Sequence, residues 1–111
     1  MKKIEAIIRE SQFLKVRDAL KNLGVNHFTY WEVTGVGKEK QSHVYRGVHY
    51  DSSAISRRCI SLVVSEELLD SAIDAILDSA STNQVGDGKI FVLPVEKSIR
   101  IRTRETGHSS L

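Results

Sequence analysis

The residues best suited to chemistry lie in the last quarter of the chain, where a glycine-rich turn precedes an apolar segment and two arginines. Gly86 and Gly88 have no Cβ atom, so backbone N–H groups of the turn can approach an anion, and Lys89 adds a positive charge. Arg100 and Arg102 share one face of an extended segment about 7 Å apart, close to the spacing of neighbouring phosphate groups. Together these residues predict a nucleotide polyphosphate site, although each half taken alone is more often structural.

The composition predicts one globular domain over residues 1–111. Of the 111 residues, 41% are hydrophobic and 27% are charged, which is typical of an ordered domain with a single core. The 16 Lys and Arg exceed the 14 Asp and Glu by only two. This small excess does not favour a nucleic acid partner, so any recognition of phosphate must be local.

The single cysteine and the N-terminal sequence predict the compartment. Cys59 has no partner within the chain for a disulfide, and no cysteine cluster offers a zinc site, so we expect a reducing environment. The N-terminal apolar run of three residues is too short for a signal peptide, and no segment is long enough to span a membrane. We therefore expect a cytoplasmic protein that does not insert into membranes.

Periodic patterns in the first third of the chain predict two strands and one helix. Apolar residues alternate over 4–8, which predicts a strand, and residues rich in aromatic and β-branched types over 25–36 predict another. Helical spacing of apolar residues lies between them, with Ser11 as the expected N-cap and Gly24 as the expected C-terminal cap.

The second half of the chain predicts strand, helix and strand. Alternation over 58–64 predicts the third strand, Ser65 is the expected N-cap of the second helix, and residues 90–95 predict the fourth strand, with Pro94 favouring a sheet edge. The expected buried stripe of the second helix contains Leu68, Leu69, Ala72, Ile73, Ile76, Leu77 and Ala80.

The order of these elements is βαββαβ, which predicts an α+β ferredoxin-like fold. Such a fold has a four-stranded antiparallel sheet with two helices on one face. The other face has no helix to cover it, and we expect Ile7, Trp31, Val33 and Val63 to lie there. A contiguous apolar face of this kind is normally buried by oligomerisation.

Two segments show no sustained period. Residues 37–57 mix charges, histidines, tyrosines and serines, and an aperiodic segment of about 20 residues in a compact domain is usually functional. We expect it to be a mobile loop that contacts a partner. The tail over 104–111 contains glycine and serines and is expected to be flexible.

The chain resembles the nitrogen-regulatory PII signal-transduction proteins over essentially its whole length, from MKKIEAIIRE to IRIRT. Two motifs carry the resemblance. The sequence YRGVHY at 45–50 is similar to the signature of the family's loop, and TNQVGDGKIF at 82–91 is similar to its second signature. Both motifs lie in the expected order on the expected elements.

The resemblance implies a homotrimer with three clefts between subunits, each of which binds ATP or ADP. In such a cleft, residues 86–89 would cradle the phosphates, and Arg100 and Arg102 would come from across the cleft. The residues implied for the phosphates are Gly86, Asp87, Gly88, Lys89, Arg100 and Arg102. The residues implied for the adenine and ribose are Thr29, Gly35, Gly37, Lys38 and Val63.

The resemblance also implies that the loop over 37–57 regulates a protein partner. The partner would be an ammonium channel or another membrane transporter, which would recruit the protein to the membrane, or an enzyme of nitrogen metabolism. Tyr50 stands at a position that is uridylylated in some relatives, with Tyr45 close by. Arg46 is similar to a residue that enters ammonium channels in some relatives.

Two residues depart from the pattern of the family's 2-oxoglutarate sensors. Glu39 stands where those sensors have a glutamine, and Arg57 stands where they have a lysine. A carboxylate at Glu39 can still bind Mg²⁺, but it would repel the oxoglutarate dianion, and a planar guanidinium does not replace a point cation. These departures argue against 2-oxoglutarate as a ligand more than against an adenine nucleotide.

Other functions stay open at this stage. A slow ATPase would use Glu39 or Asp87, but no paired base and nucleophile accompanies them, so we expect a regulatory protein and not an enzyme. A trimer that senses another small ligand or a metal is a further alternative, with His43, His49 and Cys59 as ligands. Two histidines without a placed carboxylate are more typical of solvated side chains, so we expect no metal site.

Overall fold

A computed structural model describes the backbone of residues 1–45 and 48–111 and the side chains of residues 1–37 and 54–111. The element order is the predicted βαββαβ, with a short 3₁₀ turn before the first helix and another near the end of the chain. The elements are β1 (Lys2–Ile8), a 3₁₀ turn (Glu10–Gln12), α1 (Phe13–Asn22), β2 (Thr29–Tyr45), β3 (Val48–Val64), α2 (Glu66–Ala80), β4 (Gly88–Pro94) and a second 3₁₀ turn (Gly107–Ser110).

The four strands form one antiparallel sheet in the order β2-β3-β1-β4, with both helices on one face. Ile4, Ala6 and Ile8 alternate on β1 and are at most 2% exposed, because they pack against the apolar sides of the two helices. Val16 and Ile76 supply the helical side of this core and are fully buried. The ferredoxin-like fold class is therefore confirmed.

The first helix ends as predicted but begins differently. Gly24 has φ +84°, its N–H donates to Lys21 O at 2.9 Å, and the next N–H donates to Leu20 O at 3.0 Å, which is the Schellman arrangement. The prediction of Ser11 as the N-cap was wrong. Residues 10–12 already turn as a 3₁₀ helix, and Gln12 occupies the cap position.

The second helix begins after Ser65 as predicted, although the Ser65 side chain makes no capping hydrogen bond. The Ser65 carbonyl instead accepts a hydrogen bond from the Leu68 N–H at 3.2 Å. Ala72 and Ile76 lie in the buried stripe, but Leu77 does not and is 51% exposed. One residue along a helix is a rotation of about 100°, so Leu77 turns away from the stripe that contains Ile76.

The ends of β2 and β3 differ most from the sequence prediction. The second strand begins at 29 instead of 25, and β2 and β3 remain paired as far as Tyr45 and Val48, with an irregular register between Val36 and Gln41. The aperiodic segment over 37–57 is therefore largely a hairpin, not a structureless loop. Paired strands are joined by backbone hydrogen bonds, so a hairpin can form without an alternating pattern of apolar residues. The mobility and partner role of this hairpin stay predictions.

The apolar residues predicted for the sheet face away from the helices do lie there, interspersed with polar and charged residues. Ile7 pairs with Cys59, which in turn pairs with Trp31, and the same register places Val33 and Val63 on this face. Trp31 is 44% exposed. Because a residue directly across a ladder shares the face of its partner, this face carries a row of apolar side chains across several strands.

The edge position of β4 is also confirmed, and Pro94 is its last residue. After β4, Gly107 donates its N–H to Ser98 O at 3.1 Å, and the Ser110 and Ser98 hydroxyl groups are 2.6 Å apart. The tail thus folds against residues that follow β4. Neither helix within residues 1–45 and 48–111 is long and apolar enough to cross a membrane.

Gly88 joins the fold to the site, because it pairs with Ile8 at the end of β1. It has φ +110°, and a Cβ atom there would lie 1.7 Å from the Ile7 carbonyl oxygen. We predict that Gly88→Ala lowers the free energy of unfolding by about 3 kcal/mol or more, because it adds both a backbone clash and left-handed strain. Chemical denaturation measures this change.

Gly37→Ala is the matched control, since a Cβ atom at Gly37 meets no atom within 4 Å and its φ lies outside the left-handed region. We expect this control to change the free energy of unfolding by less than about 1 kcal/mol. Equal stability of the two variants would show that β1 and β4 do not approach as described.

Candidate functional site

An open groove of about 640 Å³ lies where β1 ends while β2 and β3 continue. The last residue of β1 pairs with Arg58, whereas β2 and β3 extend further, so Gly35, Gly37 and Arg57 form one wall beyond the end of β1. Residues 84–89 form the opposite wall, and Phe91 adds an aromatic ring. The groove brings together the glycine-rich turn and the two β2 glycines that the sequence analysis had assigned to one ligand.

Other predicted residues lie elsewhere in the protomer. Thr29 and Val63 line a second groove of about 420 Å³, where the Thr29 hydroxyl donates to Ser61 O at 3.4 Å. Arg100 and Arg102 line neither groove. The predicted set therefore separates into three groups within one protomer.

The remaining predicted residues fall where the structure gives no side-chain description. This holds for the side chains over 38–53, and the whole of Arg46 lies outside the described residues. The predictions that fall there concern Lys38, Glu39, His43, Tyr45, Arg46, His49 and Tyr50.

The Asp87 carboxylate organises the turn that forms one wall of the groove. It accepts a hydrogen bond from the Thr82 N–H at 2.7 Å, another from the Thr82 hydroxyl group, and a longer one from the Gln84 N–H at 3.4 Å. From outside the turn, Arg9 Nε donates to Asp87 Oδ1 at 2.9 Å and Arg9 Nη2 donates to Val85 O at 2.8 Å. The side chain of Asp87 therefore faces into its own turn.

These hydrogen bonds set the charge of the turn. The bonds from Thr82 foremost, and those from Arg9 and Gln84 after them, hold the pKa of Asp87 well below its ordinary value of 3.8. Asp87 is therefore ionised at neutral pH, and Arg9 offsets its charge. The groups that the turn can present to an anion are its backbone N–H groups and the exposed Lys89.

The glycines give this turn its shape. Gly86 has φ +98° and Gly88 has φ +110°, a region that L side chains rarely adopt. Two such residues, one on each side of Asp87, let the backbone turn sharply and leave no Cβ atom to keep an anion away from it. The local geometry is thus the kind that binds anions through the backbone.

Arg100 points into its own segment and not towards the groove residues. Its Nη2 donates to Leu111 O at 3.1 Å, and its Nη1 lies 3.7 Å from Glu105 Oε1. The Arg100 side chain is nevertheless 39% exposed. A ligand phosphate would compete with the tail for this guanidinium.

Sequence reasoning did not identify Arg9 as part of the site. Arg9 follows β1 and reaches a carboxylate 78 residues later in the chain, so no local pattern could indicate the contact. The position of Thr82 before Asp87 carried a partial signal, because short polar side chains often organise turns through nearby backbone N–H groups.

The arrangement suits binding better than proton transfer. The ionisable residues in the described lining of the large groove are Arg57, Asp87 and Lys89. Asp87 is a weak base, because hydrogen bonds hold its pKa low and occupy its oxygen atoms. The groove therefore offers cations and backbone donors to an anion.

The chain is similar to known proteins over its whole length. A family model described as "Nitrogen regulatory protein P-II" matches residues 1–105. Proteins with the same name are similar over the whole chain: one from Cereibacter sphaeroides is 40% identical and one from Haemophilus influenzae is 41% identical, each over 112 residues and 100% of both chains. Another, from Bradyrhizobium diazoefficiens, is 43% identical over 108 residues and 96% of both chains.

The low pKa of Asp87 leads to a prediction about acid stability. A carboxylate with a lowered folded-state pKa contributes stability above its unfolded value, and the contribution is lost as pH falls below that value towards the folded one. We predict that wild type is more stable than Asp87→Asn at neutral pH and that this difference shrinks below about pH 4. Thermal unfolding between about pH 7 and about pH 2.5 measures it.

Asp74→Asn is the control, because it removes the same charge from an exposed position on α2. Its difference from wild type should change much less over the same pH range. A difference for Asp87→Asn that stays constant as pH falls would contradict the ionic role of Asp87.

Proposed function

Since the chain belongs to the nitrogen regulatory protein P-II family, we propose that it is a signal-transduction protein that binds ATP or ADP between the subunits of a homotrimer. It regulates a partner protein through the hairpin of β2 and β3. The groove shared by Gly35, Gly37 and the turn over 84–89 is the observation that carries this proposal.

The groove has the chemistry that a di- or triphosphate requires. Such a ligand carries several negative charges and many acceptor oxygens, which backbone N–H groups and cations bind without the need for a catalytic group. The turn supplies the backbone donors, and Lys89 and Arg57 supply positive charges on two walls. The aromatic ring of Phe91 lies in the same groove.

The position of the other predicted residues supports a site between subunits. Thr29 and Val63 lie in a separate groove, and Arg100 and Arg102 lie outside both grooves. One protomer therefore cannot surround the nucleotide with the whole predicted set. A second copy packed on the apolar sheet face, which includes the half-exposed Trp31, would bury that face and bring a second set of residues to the cleft.

The regulatory output is the hairpin over 37–57. Gly35 and Gly37 line the groove and lie on the same strand that continues to Tyr45. A ligand that contacts these glycines can shift the conformations of the hairpin beyond them, and coupling of this kind is typically worth about 1–3 kcal/mol, or roughly a 5- to 150-fold change in affinity. Tyr45, Arg46 and Tyr50 would be its contact or modification residues.

The proposed partner is a membrane transporter, for example an ammonium channel, or an enzyme of nitrogen metabolism. Binding to a transporter would bring a cytoplasmic trimer to the membrane without inserting it. Mg²⁺ accompanies the nucleotide in this proposal, with Glu39 as a ligand. The proposal does not include 2-oxoglutarate, because the carboxylate of Glu39 would repel the oxoglutarate dianion.

The two other functions have less support. Asp87 is a poor general base for an ATPase, because hydrogen bonds from Thr82 and Arg9 lower its pKa. Cys59 is a poor metal ligand, because it is buried and burial, together with the charge of Glu5, raises its pKa and disfavours the thiolate.

We predict that the protein in solution is a trimer of about 37 kDa, three times the 12.4 kDa chain, and binds ATP or ADP. Arg100→Ala should weaken ATP binding roughly 10- to 100-fold, because a hydrogen bond to a charged group is worth about 1.5–3 kcal/mol. Light scattering measures the mass, and calorimetry measures the affinity.

Lys97→Ala is the matched control, because it removes one exposed cation from the same segment. We expect its affinity for ATP to stay within about twofold of wild type. A monomeric mass, or no heat with either nucleotide, would contradict the proposed function.

A further inference from the structure

We propose that Arg9 is the positioning residue of the phosphate-binding turn, holding residues 85–87 in the conformation that accepts a nucleotide. This inference rests on the proposed nucleotide binding. Arg9 is not among the residues that line the groove, so it acts through the turn and not by contact with the ligand.

The contacts of Arg9 fix the turn at two points. Its Nε donates to Asp87 Oδ1 at 2.9 Å, and its Nη2 donates to Val85 O at 2.8 Å. The two donors belong to one planar guanidinium, so the distance between the carboxylate and the carbonyl oxygen is set by a rigid group. Lysine has no such fork.

The environment strengthens these contacts. The side chains of Arg9 and Asp87 are only 17% and 22% exposed. An ion pair that is largely removed from water and supported by hydrogen bonds is screened less than a fully exposed surface pair. The contact is therefore strong enough to restrict a turn.

Gly88 and Lys89 are held by pairing with β1, but residues 85–87 before them need a contact of their own from outside the turn. Gly86 gives this segment access to many backbone conformations, and ordering them costs conformational entropy. The hydrogen bonds from Thr82 and Gln84 to Asp87 join residues of the turn only to one another. Arg9 joins the turn to the end of β1, a central strand that contributes Ile4, Ala6 and Ile8 to the core.

The segment that contains Arg9 is itself held in place. Gln12 is buried, and its side-chain amide donates to Ser79 O at 3.0 Å near the end of α2. Arg9 and Gln12 thus connect the short 3₁₀ turn to both ends of the segment that leads from α2 into β4. A rigid support of this kind is what a binding turn requires.

A purely electrostatic role and a positioning role of Asp87 predict opposite effects of Asp87→Asn on nucleotide affinity. If Asp87 acted only through its negative charge, Asp87→Asn would strengthen binding of an anionic nucleotide, since it removes a repulsive charge. If Asp87 and Arg9 position the turn, Asp87→Asn weakens binding. The sign of this one change separates the two explanations.

The test measures ATP affinity by calorimetry for wild type, Arg9→Gln, Arg9→Lys, Asp87→Asn and the Arg9→Gln/Asp87→Asn double variant. We expect Arg9→Gln to weaken ATP binding roughly 10- to 100-fold. This is the range found when residues that orient the ligands of a metal site are replaced. Arg9→Lys should recover only part of the loss. Asp87→Asn should also weaken binding, and the double variant should lose less than the two single losses combined, since Arg9 and Asp87 share a contact.

Hydrogen exchange of the ligand-free proteins gives an independent readout. Backbone amides over 84–88 should exchange faster in Arg9→Gln and Asp87→Asn, while those of α1 stay unchanged. Arg17→Gln is the control, because Arg17 is an exposed arginine that pairs only with the neighbouring Asp18 among the contacts of the described chain. Its ATP affinity should stay within about twofold of wild type.

The outcomes separate this inference from the proposed function. If wild type binds ATP and Arg9→Gln binds it as tightly as Arg17→Gln does, the positioning role is wrong and the proposed function stands. Tighter binding by Asp87→Asn would also overturn the positioning role. If wild type binds no ATP, the proposed function fails and the inference fails with it.

Discussion

The site depends on the hydrogen bonds that the ionised carboxylate of Asp87 accepts. It accepts hydrogen bonds from Thr82 and Gln84 within the turn and from Arg9 at the end of β1. β1 lies between β3 and β4, and its residues Ile4, Ala6 and Ile8 are at most 2% exposed. The hydrophobic core therefore fixes β1, β1 fixes Arg9, and Arg9 fixes a turn whose glycines would otherwise allow many conformations.

The different lengths of the strands place this turn opposite Gly35 and Gly37 of β2. β1 stops at Ile8, while β2 and β3 continue, so the sheet has a step at this point. Gly35 and Gly37 lie beyond the step on one side, and the turn over 84–89 lies on the other. The same strand then continues to Tyr45, so one continuous backbone joins the proposed nucleotide site to the proposed output segment.

The sequence contained most of the fold and part of the site. Alternating apolar residues on β1 and the Gly24 cap gave correct elements, because both reflect local physical rules. The length of the β2–β3 hairpin was missed, since backbone pairing leaves no apolar period. The glycine-rich turn was recognisable, but the contact between Arg9 and Asp87 was not, because the two residues are 78 positions apart and only the fold brings them together.

The most direct test of the central claim is a titration of the ¹⁵N-labelled protein with ATP, followed by NMR of its backbone amides. If the turn over 84–89 binds the phosphates, the largest chemical-shift changes will be those of the amides of Gly86, Asp87, Gly88 and Lys89. The amides of the β2 glycines will shift less. Adenosine, which has no phosphate, will leave the turn amides nearly unchanged. Saturable ATP binding that shifts amides elsewhere and not in this turn would contradict the account.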